Sequence, residues 1–490
     1  MPIFFRPLII IILSLSISLG LLYDVTVQAA NDRIKLPDIG NSSGILISAA
    51  LEKKLGQAFI RSIRHQIPIS RDQEVNDYIQ NLGDKIAKFS EQPNRHFNFF
   101  VVNSRQINAF AGPDGYIGIN AGLILATESE SELASVLAHE IGHITQHHLQ
   151  RAIETANQMS IPNAAATLAA VVLGLTVPGV GPAAVLAVQA GQVQQQINFT
   201  RSHEAEADRV GVQNLADAGL DPRSMPIFFG RLQSATRTYG EKIPEILQTH
   251  PAPISRIADT AARAEQYPFK QVLDSQDFRL TRMKLRVYAK RVPSNELIAS
   301  LENESKQGTK LIKEAARYGL GLALTQDSQF KKAREILQKL TQDAPNQSQY
   351  IVAQAVNEYS AKNNQDALAL LEKAHKLFPA KRAVNIKYAQ ISLYAGQAEK
   401  ALSLLNNDLQ HFTPTPQVFD LMSIAYGQIK KPVRGFQYRA EYFYSIGHTK
   451  DAIIQLEQAL RAANNNFYLS SQIENHLQRL KAELKEPALL

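Results

Sequence analysis

His139 and His143 stand four residues apart, with Glu140 directly after the first. On an α-helix, residues i and i+4 share one side about a turn apart, so both imidazoles can grip one divalent cation. Glu140 is then within reach of a water at that cation and can act as a general base. Glu204 and Asp208 repeat the i, i+4 spacing, beginning 61 residues after His143. Glu204 is the candidate third ligand. Asp208 is a candidate catalytic-site acid that takes the outer N–H of a ligating histidine and orients its ring. Glu206, between them, is expected to point away into solvent. His147 lies a further turn along the same helix side as the two histidines and is expected to be a polar surface or supporting group, not a ligand. Together these groups imply one Zn²⁺ per chain, held by His139, His143 and Glu204, with one position left for water. The reading requires the Glu204 side chain to lie against the paired imidazoles. The chain contains no cysteine, which excludes thiolate ligands, disulfides and a cysteine nucleophile.

The elements that must position these groups have their own signals. Ser129 followed by Glu132 predicts a capping box, and Glu128, Glu130 and Glu132 suit the positive end of a helix. Leu133, Val136, Leu137, Ile141 and Ile144 form an apolar stripe, with the two histidines beside it. Gln146 and Leu149 stand where a metzincin would need glycine and a third histidine, so that subclass is excluded. Further along, Ala333, Ala367 and Ala401 are 34 residues apart, as are Leu337, Leu371 and Leu405, and Gly321, Ala355 and Ala389. Pro345, Pro379 and Pro414 follow nearly the same period, and a weaker unit includes Tyr444, Gly447, Ala452 and Leu456. Small residues at fixed places in a 34-residue period resemble tetratricopeptide repeats, stacked helix pairs whose concave face holds a protein or peptide.

The expected fold is mainly α with a small β-sheet: a zinc-peptidase domain followed by a helical repeat solenoid. The expected divisions are a signal peptide over 1–29, a peptidase domain over 30–270, a connecting helical segment over 271–312 and the repeat domain over 313–490. Arg6, the apolar run Pro7 to Leu22, and Val27-Gln28-Ala29 fit a secretory signal cleaved after Ala29, with an uncleaved anchor as the alternative. Export to a bacterial periplasm follows. The apolar stretch 161–191, broken by Pro178-Gly179-Val180-Gly181-Pro182, reads as a buried hairpin, a lid, or a contact surface for unfolded substrate or membrane. The 52 basic and 45 acidic side chains give a net charge of +7, but the basic residues are scattered, so nucleic-acid binding is not expected.

The pattern His139-Glu140-x-x-His143 with Glu204-x-x-x-Asp208 resembles the gluzincins. Asn108-Ala109-Phe110-Ala111-Gly112-Pro113-Asp114-Gly115-Tyr116-Ile117 and Thr249-His250-Pro251-Ala252-Pro253-Ile254-Ser255-Arg256-Ile257 narrow the resemblance to the peptidase family of HtpX and the CAAX prenyl proteases. Asp114 stands where that family usually has glycine. The resemblance implies a substrate-binding strand involving Asn108, Gly115, Tyr116 and Ile117, with Tyr116–Asn120 pairing to an extended peptide. It implies that His250 either binds zinc as a fourth ligand and shuts the site or stabilises an oxyanion. A plainly structural histidine before Pro251 is the alternative. The order of signal, peptidase and repeats is similar to family members of outer-membrane biogenesis. That implies an endopeptidase with a chaperone-like role toward misfolded or stalled outer-membrane β-barrel proteins. It also implies docking on the outer-membrane assembly (BAM) machinery through the repeats and a peripheral membrane contact. The other class of reading is a repeat-based chaperone or adaptor with low or latent proteolytic activity.

Overall fold

The computed structural model describes residues 48–149, 151, 201–239, 244–289, 294–463 and 466–485. The signal segment 1–29 and the apolar stretch 161–191 lie outside the described residues. Among those described, no helix is long and apolar enough to cross a membrane.

The alternating apolar pattern around residues 98–120 builds a small sheet from β1 (Asn98–Val102), β2 (Ala109–Ala111) and β3 (Tyr116–Asn120). The order is β1-β3-β2, with β3 parallel to β1 and antiparallel to β2. Successive side chains take opposite faces. Phe99, Val101, Ala109, Ile117 and Ile119 enter the main core with α2 (Gln73–Ala87). Phe100, Val102 and Phe110 pack under Leu55, Phe59, Ile60 and Ile63 of α1 (Ala49–Gln66). Gly118 leaves room for the Phe110 ring, which a Cβ there would approach to 2.2 Å.

This order corrects one expectation. Tyr116–Asn120 is the middle strand, so β1 and β2 take both its edges and it has none to offer a substrate. Gly115 and Tyr116 belong to the turn and to the α1 face, and Ile117 is core. The Asn120 N–H donates to the Asn108 carbonyl at 3.0 Å and the Gly112 N–H to the Tyr116 carbonyl at 2.7 Å. In that register the N–H and C=O groups of Ala109 and Ala111 face away from β3. The outer side of β2 is therefore an edge without a paired strand among the described residues. Between β2 and β3 the backbone turns through Asp114 (φ 57°) and Gly115 (φ 74°), both left-handed. That conformation explains the family's usual glycine at position 114, and aspartate is among the few residues that enter it at modest cost.

A short α3 (Ala121–Ala126) leads to α4 (Glu130–Thr145), the helix of the two histidines. The Ser129 side chain accepts from the Glu132 N–H at 3.2 Å, and the Glu132 carboxylate accepts from the Glu128 N–H at 2.6 Å, one residue upstream of the expected partner. All of α4 is buried, with its apolar stripe against the sheet and α2. After it come α5 (Arg201–Asp217), α6 (Ser224–Tyr239), α7 (Glu245–Thr249) and α8 (Ile254–Ala264).

From α9 (Gln276–Tyr288) and α10 (Ser294–Glu304) onward the chain is a run of antiparallel helices. The pairs include α11 (Lys310–Gln326) with α12 (Phe330–Asp343), α13 (Ser348–Ser360) with α14 (Asn364–Leu377), and α15 (Arg382–Tyr394) with α16 (Ala398–His411). After these come α17 (Pro416–Gln428), α18 (Pro432–Ser445), α19 (Thr449–Ala462) and α20 (Phe467–Lys485). The 34-residue columns are the contact points. Ala333, Ala367, Ala401, Leu337, Leu371 and Leu405 are fully buried. A Cβ on Gly321 would stand 2.5 Å from Leu337. Pro345, Pro379 and Pro414 each follow the end of a second helix. Helix α9 joins the two regions, sending Phe278 and Leu285 into the peptidase core and Leu280 and Val287 into the first layer of the stack.

The solenoid then returns to the sheet side. Arg61 of α1 meets Glu483 of α20 at 2.9 Å and lies over the Tyr444 ring at 4.5 Å. Arg71 donates to the Tyr442 hydroxyl at 2.9 Å. Gly447, in the weakest repeat, brings its backbone so close that a Cβ would be 2.7 Å from the Arg61 carbonyl oxygen. A cavity of about 900 Å³ opens between the two parts, lined by Arg64 and Asn76 on one side and by Arg382, Phe412 and Gln417 on the other.

Lys284 of α9 ties the regions together ionically, 2.7 Å from Asp72, the cap of α2, and 2.5 Å from Glu74. Burial alone would pull the ammonium down, but the two carboxylates hold it well above its ordinary value. Lys284→Met is expected to lower stability by about 2 kcal/mol in chemical denaturation. That is less than the roughly 3–5 kcal/mol of a fully buried pair, because Asp72 is 31% exposed. An unchanged midpoint would count against this ionic tie.

Candidate metal centre

Helices α4 and α5 cross at small residues. A Cβ on Gly142 would lie 2.9 Å from the Ala207 carbonyl oxygen, and one on Gly211 3.3 Å from the Ala138 carbonyl carbon. This close crossing brings the one-turn pair Glu204 and Asp208 against the one-turn pair His139 and His143. Glu204 Oε2 is 3.4 Å from His139 Nε2, and Glu204 Oε1 is 3.3 Å from His143 Nε2, so the required contact is present. The two Nε2 atoms are 3.0 Å apart. His250, where α7 ends, places Nδ1 2.9 Å from Glu204 and 3.3 Å from His139 Nε2. Among the described residues, His139, His143, Glu204 and His250 form the group able to hold a metal ion, each offering a donor within 4.8 Å of the others. All four are buried.

Asp208 Oδ1 lies 2.9 Å from His139 Nδ1, the outer nitrogen of that ring. Arg256 of α8 clasps both carboxylates, with Nη1 2.6 Å from Glu204, Nη2 2.9 Å from Asp208 and Nε bonded to the other Asp208 oxygen. Burial pushes each carboxyl up, but the reverse forces win. Glu204 falls well below its usual range through His250 and His143, and Asp208 falls through its bonds to Arg256 and His139. Burial pulls His139 down, yet bonds to Asp208 and Glu204 raise it to about 9, while for His143 burial prevails and lowers it. Arg256 was visible in the sequence only as part of a resembling motif, without a role.

Glu140 differs from these acids. Its carboxylate is fully buried, neither oxygen has a hydrogen-bond partner among the described residues, and His250 Nε2 lies 3.6 Å from it. Burial raises its pKa. A buried acid without a donor is costly as a mere structural element and suits a group that handles protons. The donor set fits a divalent cation on two grounds. The donors lie within 4.8 Å of one another in a buried site, and imidazole nitrogens with a carboxylate are ordinary ligands of such an ion. Such ligands suit zinc, although the same set takes other divalent ions.

Two further expectations change. Glu206 is not free in solvent, since its Oε2 lies 3.0 Å from His148 Nε2. His147 does not continue along the helix side, because α4 stops at Thr145 and His147 turns to Gln92, 3.0 Å away. His148 comes back under His143 instead, with their Nδ1 atoms 2.8 Å apart.

The sequence model of peptidase family M48 matches residues 73–264, and a tetratricopeptide repeat model matches residues 358–424. The chain is 32% identical over 425 residues to the beta-barrel assembly-enhancing protease of Escherichia coli (strain K12), covering 86% of each chain. It is 38% identical over 325 residues to a putative beta-barrel assembly-enhancing protease of Vibrio cholerae, covering 66% of this chain and 67% of that one. A shorter match, 31% over 160 residues, is to the mitochondrial metalloendopeptidase OMA1 of Bos taurus, covering 31% of this chain and 29% of that one.

Zinc added to the metal-free chain is expected to raise its thermal midpoint, by about 2.7 kcal/mol of stabilisation at a free concentration one hundred times Kd. Glu204→Ala should abolish most of that rise. An equal rise in the variant would mean that the metal sits elsewhere.

Proposed function

The chain belongs to peptidase family M48 and is a metallopeptidase; from that premise we propose that it is an exported zinc endopeptidase of the bacterial envelope, acting on outer-membrane β-barrel proteins that misfold or stall. The observation that carries the reading is the buried Glu140 carboxylate, with no hydrogen-bond partner among the described residues, beside four convergent metal donors. In this reading 30–270 is the peptidase, 271–312 the connector and 313–490 the recognition module, with the mature chain in the periplasm after removal of 1–29.

His139, His143 and Glu204 would hold the metal. When bound, zinc supplies a Lewis acid that polarises a peptide carbonyl and makes water acidic enough to be activated near neutral pH. Glu140 takes the proton from the attacking water at its carboxylate and later gives it to the leaving amine. Its raised pKa suits both directions of transfer. Asp208 keeps the proton of His139 on Nδ1, which leaves Nε2 as the atom for a metal, and Arg256 keeps Asp208 ionised and bridges it to Glu204. The outward groups of Ala109 and Ala111 on β2 receive an extended segment as an added strand, which gives main-chain affinity with little demand on sequence. This replaces the pairing first expected of Tyr116–Asn120.

The names of the relatives support the substrate class, and the concave helical stack supports a protein partner, for which the outer-membrane assembly machinery is the candidate. His250 favours a second, compatible role. It lies among the donors, so as a fourth ligand it would leave no place for water, and basal hydrolysis would stay low until it moved away. The repeats would meanwhile act as a chaperone or adaptor.

Glu140→Gln should retain zinc and lose activity on an unfolded β-barrel protein by at least about 100-fold. His250→Ala should raise basal self-cleavage or proteolysis, and equal or lower turnover of the purified variant would refute the latch.

A further inference from the structure

We propose that His148 and Glu206 form a relay that fixes the ring of His143 in its metal-binding tautomer. The proposal rests on the reading of His143 as a ligand. It begins where α4 ends. The Gln146 N–H donates to the Gly142 carbonyl and the His147 N–H to the Ile144 carbonyl, both at 3.0 Å. His147 then enters the left-handed region at φ 56°. That conformation is unfavourable for a residue with a Cβ. Its effect is to reverse the chain so that the next residue, His148, lies beneath His143 with no exposed surface.

The proton positions follow from the partners. An ionised carboxylate only accepts, so Glu206 Oε2, 3.0 Å away, takes the Nε2–H of His148. In the neutral ring the other nitrogen, Nδ1, is then an acceptor. His143 Nδ1, 2.8 Å from it, must be the donor. The proton of His143 is thereby held on Nδ1, which leaves Nε2, the atom that faces His139 and Glu204, as the one a cation would take. His203, stacked on His148 with centroids 4.3 Å apart, and Arg151, 3.5 Å from Glu206, hold the outer end. Asp208 does the same for His139 through a separate contact. The two rings are thus oriented by independent acids, one direct and one through a second imidazole. Glu206 and His148 are positioning residues and touch no reacting atom.

Zinc itself is the probe. Glu206→Ala and His148→Phe should each weaken zinc binding, measured by competition with a chelator, by about 10–100-fold. The double variant should lose no more than the worse single one, because both changes break one hydrogen-bond chain. Nitrogen-15 NMR of histidine in the metal-free chain should show His143 protonated on Nδ1, and this preference should be lost in Glu206→Ala. A side chain needed only for packing would not move that signal. Glu206 is partly exposed, so its variant decides the matter alone if His148→Phe does not fold. Zinc affinity within twofold of wild type in Glu206→Ala, or a wild-type His143 protonated on Nε2, would overturn the relay. A wild-type chain that binds no zinc would overturn the metal-site reading beneath it, and the relay with it.

Discussion

The active region depends on how near two helix backbones can come. Glutamate and aspartate side chains are short, and imidazole rings on a neighbouring helix lie within their reach only if the helices touch. Gly142, Ala207 and Gly211 remove the side chains that would keep α4 and α5 apart. The close crossing carries an electrostatic cost, since two carboxylates and two imidazoles lose water together. Arg256, delivered by α8 from the far side, offsets that cost with a forked cation matched to both acids. Without it Asp208 would lose the strongest partner of its ionised form.

The same economy of small residues governs the solenoid. Each alanine or glycine in the repeating columns lets the next helix settle against its leucine, as Gly321 does against Leu337. The stack therefore holds by nearest-neighbour packing. What is unusual is how the stack ends. Its last repeats fold back on α1, with tyrosines and arginines across the seam, so a module suited to recognition also becomes a wall beside the peptidase sheet.

The parts legible in the sequence were those set by helical periodicity. The i, i+4 pairs His139/His143 and Glu204/Asp208 place their own side chains, Ser129 announces its own helix, and 34-residue spacing repeats whatever contact it encodes. What escaped depends on reversals and on long-range pairing. Nothing near Glu206 reveals that His148 comes back to meet it, because the turn is made by a left-handed His147 that has no glycine to mark it. Strand order escaped for a related reason. The resemblance marks Tyr116–Asn120 as a strand but does not say that it lies in the middle of the sheet, where both its edges are taken. The resemblance supplied Arg256 as part of a motif, yet only the packed helices show that it bridges two acids.

The contact between Arg61 and Glu483 spans 422 residues of sequence. A polypeptide threaded outward from its amino end must leave Arg61 without its acid until the last helix emerges. Loss of that helix would strip Glu483 from the seam and leave it to the tyrosines of the preceding repeat.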